Sequence, residues 1–269
     1  MNQDNNNTDS PGDNGRECRF VVTGFGPFQG VPKNPTSFIV ETLLDFLTQN
    51  GDPELETLAS NTTATVLEVS AVAVQQFLDG LSEKDLPSES ITTILLHLGV
   101  NYCGKAFQLE ECAYNDASFR VPDERGYQPQ KQCISKDLPW NHALSTPLDI
   151  STVCSRLWKL YPGSEERQLL PLAKDKHPTD ICIIPSSDPG RFVCNYTYCY
   201  SLDKFCRPQQ QQPPTDPKED VKKEHSVPPN KFASLFLHVP PVTVVPQEEQ
   251  LKFVVNLMKV IRQEMMARG

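Results

Sequence analysis

Apolar residues along this chain fall into two rhythms: short unbroken runs, and stripes that repeat every three or four positions. Residues 18–23 (C-R-F-V-V-T) form an apolar run ended by Gly24, which predicts a buried first strand. Runs at 64–70, 90–98 (S-I-T-T-I-L-L-H-L), 180–185 (D-I-C-I-I-P) and 234–239 (S-L-F-L-H-V) predict four more. Helical stripes lie between them. Asn34-Pro35 reads as an N-cap followed by Pro at the first helical position, with Ile39, Leu43, Phe46 and Leu47 carrying the period to about residue 50. Residues 72–81, 148–160 and 192–205 continue the series. Pro246 opens a last helix whose apolar positions are Leu251, Val254, Met258, Ile261 and Met265. Strands alternate with helices, so the expected class is α/β with a largely parallel sheet. Ligands in such sheets bind beyond the carboxyl ends of the strands.

Four stretches break the pattern. Residues 1–16 are Asn/Asp-rich and read as a disordered tail. Residues 103–134 are irregular and polar, a long loop of the kind that is functional or disordered. Residues 163–178 and 208–230 (P-Q-Q-Q-Q-P-P-T-D-P at the start of the second) read as surface insertions in one domain over 17–269. The net charge of −9 and the pI near 5.1 argue against nucleic acid or an anionic membrane surface as partner. No run approaches the roughly 20 apolar residues of a membrane span, and the first residues lack the apolar core of an export signal. A cytoplasmic protein is therefore expected, with its nine cysteines as free thiols. The sequons at Asn6, Asn61 and Asn195 are then chance matches.

Cys194 follows a buried strand and the turn Ser186-Ser187-Asp188-Pro189-Gly190, and it stands early in a predicted helix. A thiol at a helix N-terminus feels the positive end of the dipole, and the same backbone N–H groups can hold an oxyanion. That setting alone does not separate a nucleophile from a buried inert thiol. His238 ends the last strand, and in a parallel sheet its end shares a rim with the turn before Cys194. It reads equally as a core histidine or a catalytic base. His97, inside an apolar strand, reads as structural. Glu110 could orient a histidine beside a thiolate, while the Glu110/Glu111 pair also reads as two solvated charges. Gly24-Phe25-Gly26-Pro27-Phe28-Gln29-Gly30 is not a dinucleotide fingerprint, because Pro27 interrupts it. It sets two aromatic rings on a loop at the sheet's rim. No His/Cys cluster has metal-ligand spacing.

Together these segments resemble the pyroglutamyl peptidase I (pyrrolidone-carboxylate peptidase) family. The resemblance is carried by T-G-F-G-P-F-x-G with Asn34-Pro35, by L-E-E-C at 109–112, by F-R-V-P-D-E-R-G-Y-Q-P at 119–129, by G-R-F-V-C-N at 190–195 and by F-L-H-V-P at 236–240. The chain departs from bacterial members at Val100, where they carry a polar residue, and over 103–108, which lacks their Gly-Gly run. What the resemblance implies is a single catalytic domain, a three-layer α/β/α sandwich around a mixed, mostly parallel sheet. It implies Cys194 as nucleophile, His238 as its partner and Glu110 as the group that orients the histidine. Phe25, Phe28, Asn34, Val121, Phe192 and Val193 then line a pyrrolidone pocket, with Arg120 near the nucleophile. The implied activity is a cysteine peptidase that releases N-terminal pyroglutamate from peptides through a thioester, with no metal and no cofactor. The alternative is a silent homologue that binds a peptide or protein.

Overall fold

In the computed structural model, which describes residues 17–49, 51–81, 91–164, 181–207 and 231–267, the apolar runs form strands and the stripes form helices. The order is β1 (Glu17–Phe25), α1 (Pro35–Thr48), α2 (Pro53–Ser60), β2 (Thr62–Leu67), α3 (Ala71–Gly80), β3 (Ile91–Val100), β4 (Phe107–Glu110), β5 (Cys112–Tyr114) and β6 (Ala143–Ser145). Then come α4 (Ile150–Leu160), β7 (Ile183–Ser186), α5 (Val193–Ser201), β8 (Phe232–Val239) and α6 (Gln247–Ala267). A π-helical turn, Leu202–Cys206, prolongs α5.

Strand side chains alternate between two faces, and each face has its own core. Phe20 and Val22 of β1, Ile94, Leu96 and Leu98 of β3, and Leu235 and Leu237 of β8 pack under α1, α2, α4 and α6. Val21, Phe25, Leu95 and Phe236 point the other way, under α3 and α5. This makes the three-layer α/β/α sandwich. The sheet has six strands in the order β2-β1-β3-β8-β4-β7, and β5 and β6 pair separately. β2, β1, β3 and β8 run parallel, but β4 is antiparallel to β8 and β7 runs parallel to β4.

Three expectations need correction. First, the strand before Cys194 does not run with β8, so the shared-rim argument fails as stated. The cause is the short link from β3 to β4 over residues 101–106. A parallel return needs a crossover of about a dozen residues or more; so short a link reverses the chain. Proximity survives the reversal, because Ser186 at the end of β7 pairs with Glu110, only two residues along β4 from Gln108, which pairs with His238. Two residues span roughly 7 Å. Second, the polar stretch 103–134 contains β4 and β5. Third, α2 was not anticipated, since only Leu55 and Leu58 of its eight residues are buried. Its signal was the cap: Asp52 accepts from the Glu54 N–H, Pro53 follows, and two glutamates fill the first turn.

The expected tail 1–16, residues 165–178 of the first insertion and all of 208–230 lie outside the described residues. Gly163 and Ser164 close the turn after α4, with the Ser164 N–H donating to the Tyr161 carbonyl. Among the described residues no helix is long and apolar enough to cross a membrane.

Candidate active site

The carboxyl ends of β1, β3 and β8 meet the first residues of α5 at one edge of the sheet. Cys194 is the second residue of α5, and the helix has Phe192 at its N-cap, which offers no side-chain acceptor to the leading N–H groups. The segment is fixed on both sides of the cysteine. Gly190 turns the chain at φ 75°. The Arg191 guanidinium lies 4.0 Å from the Tyr114 ring centre and binds Asp188 at 2.8 Å. Asn195, fully buried, accepts from the Tyr114 N–H and donates to the carbonyls of Tyr114 and Asp116. A side chain so engaged is no glycosylation acceptor in the folded protein.

His238 and Cys194 line the same cleft, and the Cys194 sulfur is one of the groups that act on the His238 pKa. The His238 Nδ1–H donates to Glu110 Oε1 at 2.7 Å. Glu110 is fully buried, and its Oε2 has no hydrogen-bond partner among the described residues. The Tyr198 hydroxyl, from α5, donates to the Glu110 carbonyl at 2.8 Å and ties β4 to the helix. Burial by itself would lower the His238 pKa. The Cys194 sulfur and the Glu110 carboxylate outweigh it and raise His238 to about 9. The arrangement thus brings sulfur, imidazole and carboxylate to one place, with the imidazole held in its protonated form at neutral pH.

The other candidates separate from this group. His97 is fully buried, shares a 2.7 Å hydrogen bond with Thr23, and is pushed down to about 3 by burial. It is a neutral core histidine. His142 is exposed and lines neither space beside Cys194, and His177 and His225 lie outside the described residues. Burial raises Cys18 to about 11, and Cys154, Cys199 and Cys206 to about 12, which keeps those thiols protonated and inert. None of the described cysteines is in a disulfide.

A narrow slot opens beside the sulfur, lined by Phe25, Phe28, Asn34, Val69, Gly99, Val100, Phe192, Val193 and Cys194. Five of the residues expected to line a pocket are therefore brought together: Phe25, Phe28, Asn34, Phe192 and Val193. Phe28 and Phe192 face across it, ring centres 6.4 Å apart, and the buried Phe119 braces Phe192 edge-on at 4.9 Å. Asn34 does two jobs. Its Oδ1 caps α1 through the N–H and hydroxyl of Thr36, and its Nδ2 donates to the Gly26 carbonyl, which leaves one N–H. Arg120 is exposed and lines a second, wider cleft that adjoins the slot, shares Phe28, Val100, Phe192 and Cys194 with it, and is also lined by His238. Val121 is half-exposed and lines neither space.

Sequence reasoning missed Gly99. An added Cβ there would sit 2.7 Å from the Phe236 ring and 3.1 Å from the Cys194 sulfur. A lone glycine inside a buried strand signals such an approach, and that signal was present. It also missed the role of the 119–129 loop. Asp123, buried, accepts from the N–H groups of Ala71, Arg125 and Tyr127, and Glu124 accepts from the Gln29 N–H. The loop thereby ties the start of α3 to the tip of the Phe28 loop.

No family model matches the chain. Pyroglutamyl-peptidase 1 of Homo sapiens and that of Rattus norvegicus are each 26% identical to it over 186 residues, covering 68% of this chain and 71% of theirs. The crystal structure of pyrrolidone carboxyl peptidase from Thermus thermophilus is similar with a TM-score of 0.60, at 24% identity, over 90% of this chain and 99% of that one. Pyroglutamyl peptidase I of Bacillus amyloliquefaciens gives a TM-score of 0.64 at 18% identity, over 92% of this chain and 98% of that one. The chain is similar in sequence to the pyroglutamyl peptidases and shares the fold of the pyrrolidone carboxyl peptidases.

Proposed function

We propose that the protein is a cysteine peptidase that releases N-terminal pyroglutamate from peptides, with Cys194 as nucleophile, His238 as acid and base, and Glu110 as the group that orients His238. The observation that carries this reading is a single imidazole bonded to a buried carboxylate and sharing a cleft with a half-buried sulfur, beside an aromatic slot that the same sulfur lines. Pyroglutamate is a small, uncharged lactam. Phe28 and Phe192 cover its ring faces, and the remaining Asn34 N–H is a donor for its polar edge. A proline ring lacks the lactam carbonyl and would leave that donor unpaired.

The imidazolium stabilises the Cys194 thiolate, which attacks the pyroglutamyl carbonyl. The leading N–H groups of α5, without a side-chain cap, are the donors for the oxyanion that forms. Collapse breaks the C–N bond as His238 gives its proton to the leaving amine. His238 Nε2, now neutral, takes a proton from water, and the hydroxide equivalent releases pyroglutamate from the thioester. Glu110 keeps the proton on Nδ1 throughout. The same substrate class, and no nucleic acid, suits the acidic chain.

A pyroglutamyl aryl amide assay tests the proposal. The reduced protein should release the aryl amine, and Cys194→Ala should release none. No turnover by the reduced wild-type protein, beside an active control peptidase, would leave the silent-homologue reading in its place.

A further inference from the structure

The wide cleft beside Cys194 and His238 holds a polar pair that the reaction above leaves unused. Gln108 of β4 is half-buried, lines the cleft, and stands opposite His238 in the strand register. Its neighbour is Asn101, the first residue after β3. The backbone fixes which way both amides point. The Asn101 N–H donates to the Val239 carbonyl at 2.9 Å, and the Gly104 N–H donates to the Asn101 carbonyl at 2.8 Å. The Cys103 N–H donates to Asn101 Oδ1 at 3.2 Å, so the other side-chain atom of Asn101 must be Nδ2. Nδ2 donates to Gln108 Oε1 at 2.6 Å. The remaining atom of Gln108 is then Nε2, a donor with no acceptor among the described residues. A backbone N–H thus determines, through two amides, that the cleft wall beside His238 presents an N–H₂ group.

We infer that Gln108 binds the carbonyl of the residue that follows pyroglutamate, and so makes the protein selective for a peptide over a simple amide as leaving group. The inference rests on the proposed peptidase reading. With the lactam in the aromatic slot, the scissile nitrogen lies at His238 and the rest of the substrate runs into the wide cleft. The first acceptor beyond that nitrogen is the carbonyl of the next residue. Gln108, opposite His238, is the uncharged donor that meets it. Asn101 is a positioning residue, acting only by holding Gln108 Oε1.

The test compares two substrates on each enzyme: pyroglutamyl-alanine amide, which has that carbonyl, and pyroglutamyl 4-nitroanilide, which has none. The readout is the ratio of kcat/KM for the peptide to kcat/KM for the anilide, in which folding losses cancel. Gln108→Leu should lower the ratio about tenfold, the worth of one neutral hydrogen bond. Asn101→Asp should lower it comparably. An aspartate can only accept, so Gln108 turns to donate to it and shows its oxygen to the cleft. A ratio unchanged in either variant overturns the inference, with wild-type anilide turnover leaving the peptidase reading intact. Wild-type protein that cleaves neither substrate overturns both.

Discussion

At the residue scale the site depends on one proton. His238 is bonded to the Glu110 carboxylate, feels the Cys194 sulfur, and holds its proton to about pH 9 against the pull of burial. In the proposed reaction the leaving amine takes that proton, so kcat/KM should fall as pH rises through about 9. Glu110→Gln removes one of the two groups that raise His238. Its alkaline limb should move to lower pH, and kcat/KM should drop by about 10²-fold or more. A pH–rate profile of both enzymes checks this, and superimposable alkaline limbs would remove Glu110 from its assigned role. Gly99→Ala tests space rather than charge. Its Cβ would press on the Phe236 ring and the Cys194 sulfur. We expect a cost of about 1–3 kcal/mol from overpacking and a loss of activity larger than the loss of folded protein. Cys194 and His238 were visible in the sequence only as one thiol among nine and one histidine among five. The order of motifs singled them out, whereas the burial that disqualifies Cys18, Cys154, Cys199 and Cys206 exists only in three dimensions.

At the element scale, periodicity located every strand and helix with a long apolar pattern, and failed on short pieces. β4 has four residues, of which Gln108 and Glu110 face the site and are polar. Half of its alternation is thus spent on function, and the run reads as loop. Its direction was equally hidden, since strand direction follows from the length of a link and not from the strand's own residues. The loop over 119–129 shows a related limit. It has no regular structure, yet Asp123 accepts three N–H groups from two segments. Asp123→Ala should leave those partly buried donors, the first N–H of α3 among them, without partners, costing about 1–3 kcal/mol. Urea unfolding measures the cost. A variant as stable as wild type would mean that the loop contributes nothing to the fold. Asn195→Ala, by contrast, should lower activity more than stability, because it frees the head of α5 from the Tyr114 and Asp116 backbone that aligns the sulfur.

For the whole molecule, the two cores make unequal demands. The face under α1, α2, α4 and α6 is mainly apolar, with Thr92, Gln250 and Glu264 among its few buried polar residues, and Phe107 stacks on Phe253 there at 3.8 Å. The face under α3 and α5 also carries Thr23, His97, Glu110, Ser234 and His238, all buried. His97 makes this face sensitive to acid. Burial holds its pKa near 3, and its Nε2 has no hydrogen-bond partner among the described residues, whereas in the unfolded chain it titrates at about 6.5. Between those values the unfolded chain binds a proton that the folded chain refuses. Stability contributed by neutral His97 is therefore complete above about pH 6.5 and is lost as pH falls toward 3. Carboxylates blur the lower part of that window, because they titrate near 4 in the unfolded chain. From pH 6.5 to about 5 they are largely ionised in both states, so the slope there belongs to histidine; His238, held up to about 9 when folded, opposes His97 near pH 6.5 and no longer does so below about 5.5. The free energy of unfolding of wild type should decline across that interval by about 1.4 kcal/mol per pH unit once His97 titrates fully in the unfolded chain. His97→Asn keeps a polar partner for Thr23 but has nothing to protonate. It should start less stable and decline less steeply. Parallel declines in the two proteins would show that His97 takes up its proton while folded, and that the layer beneath the active site admits a charge.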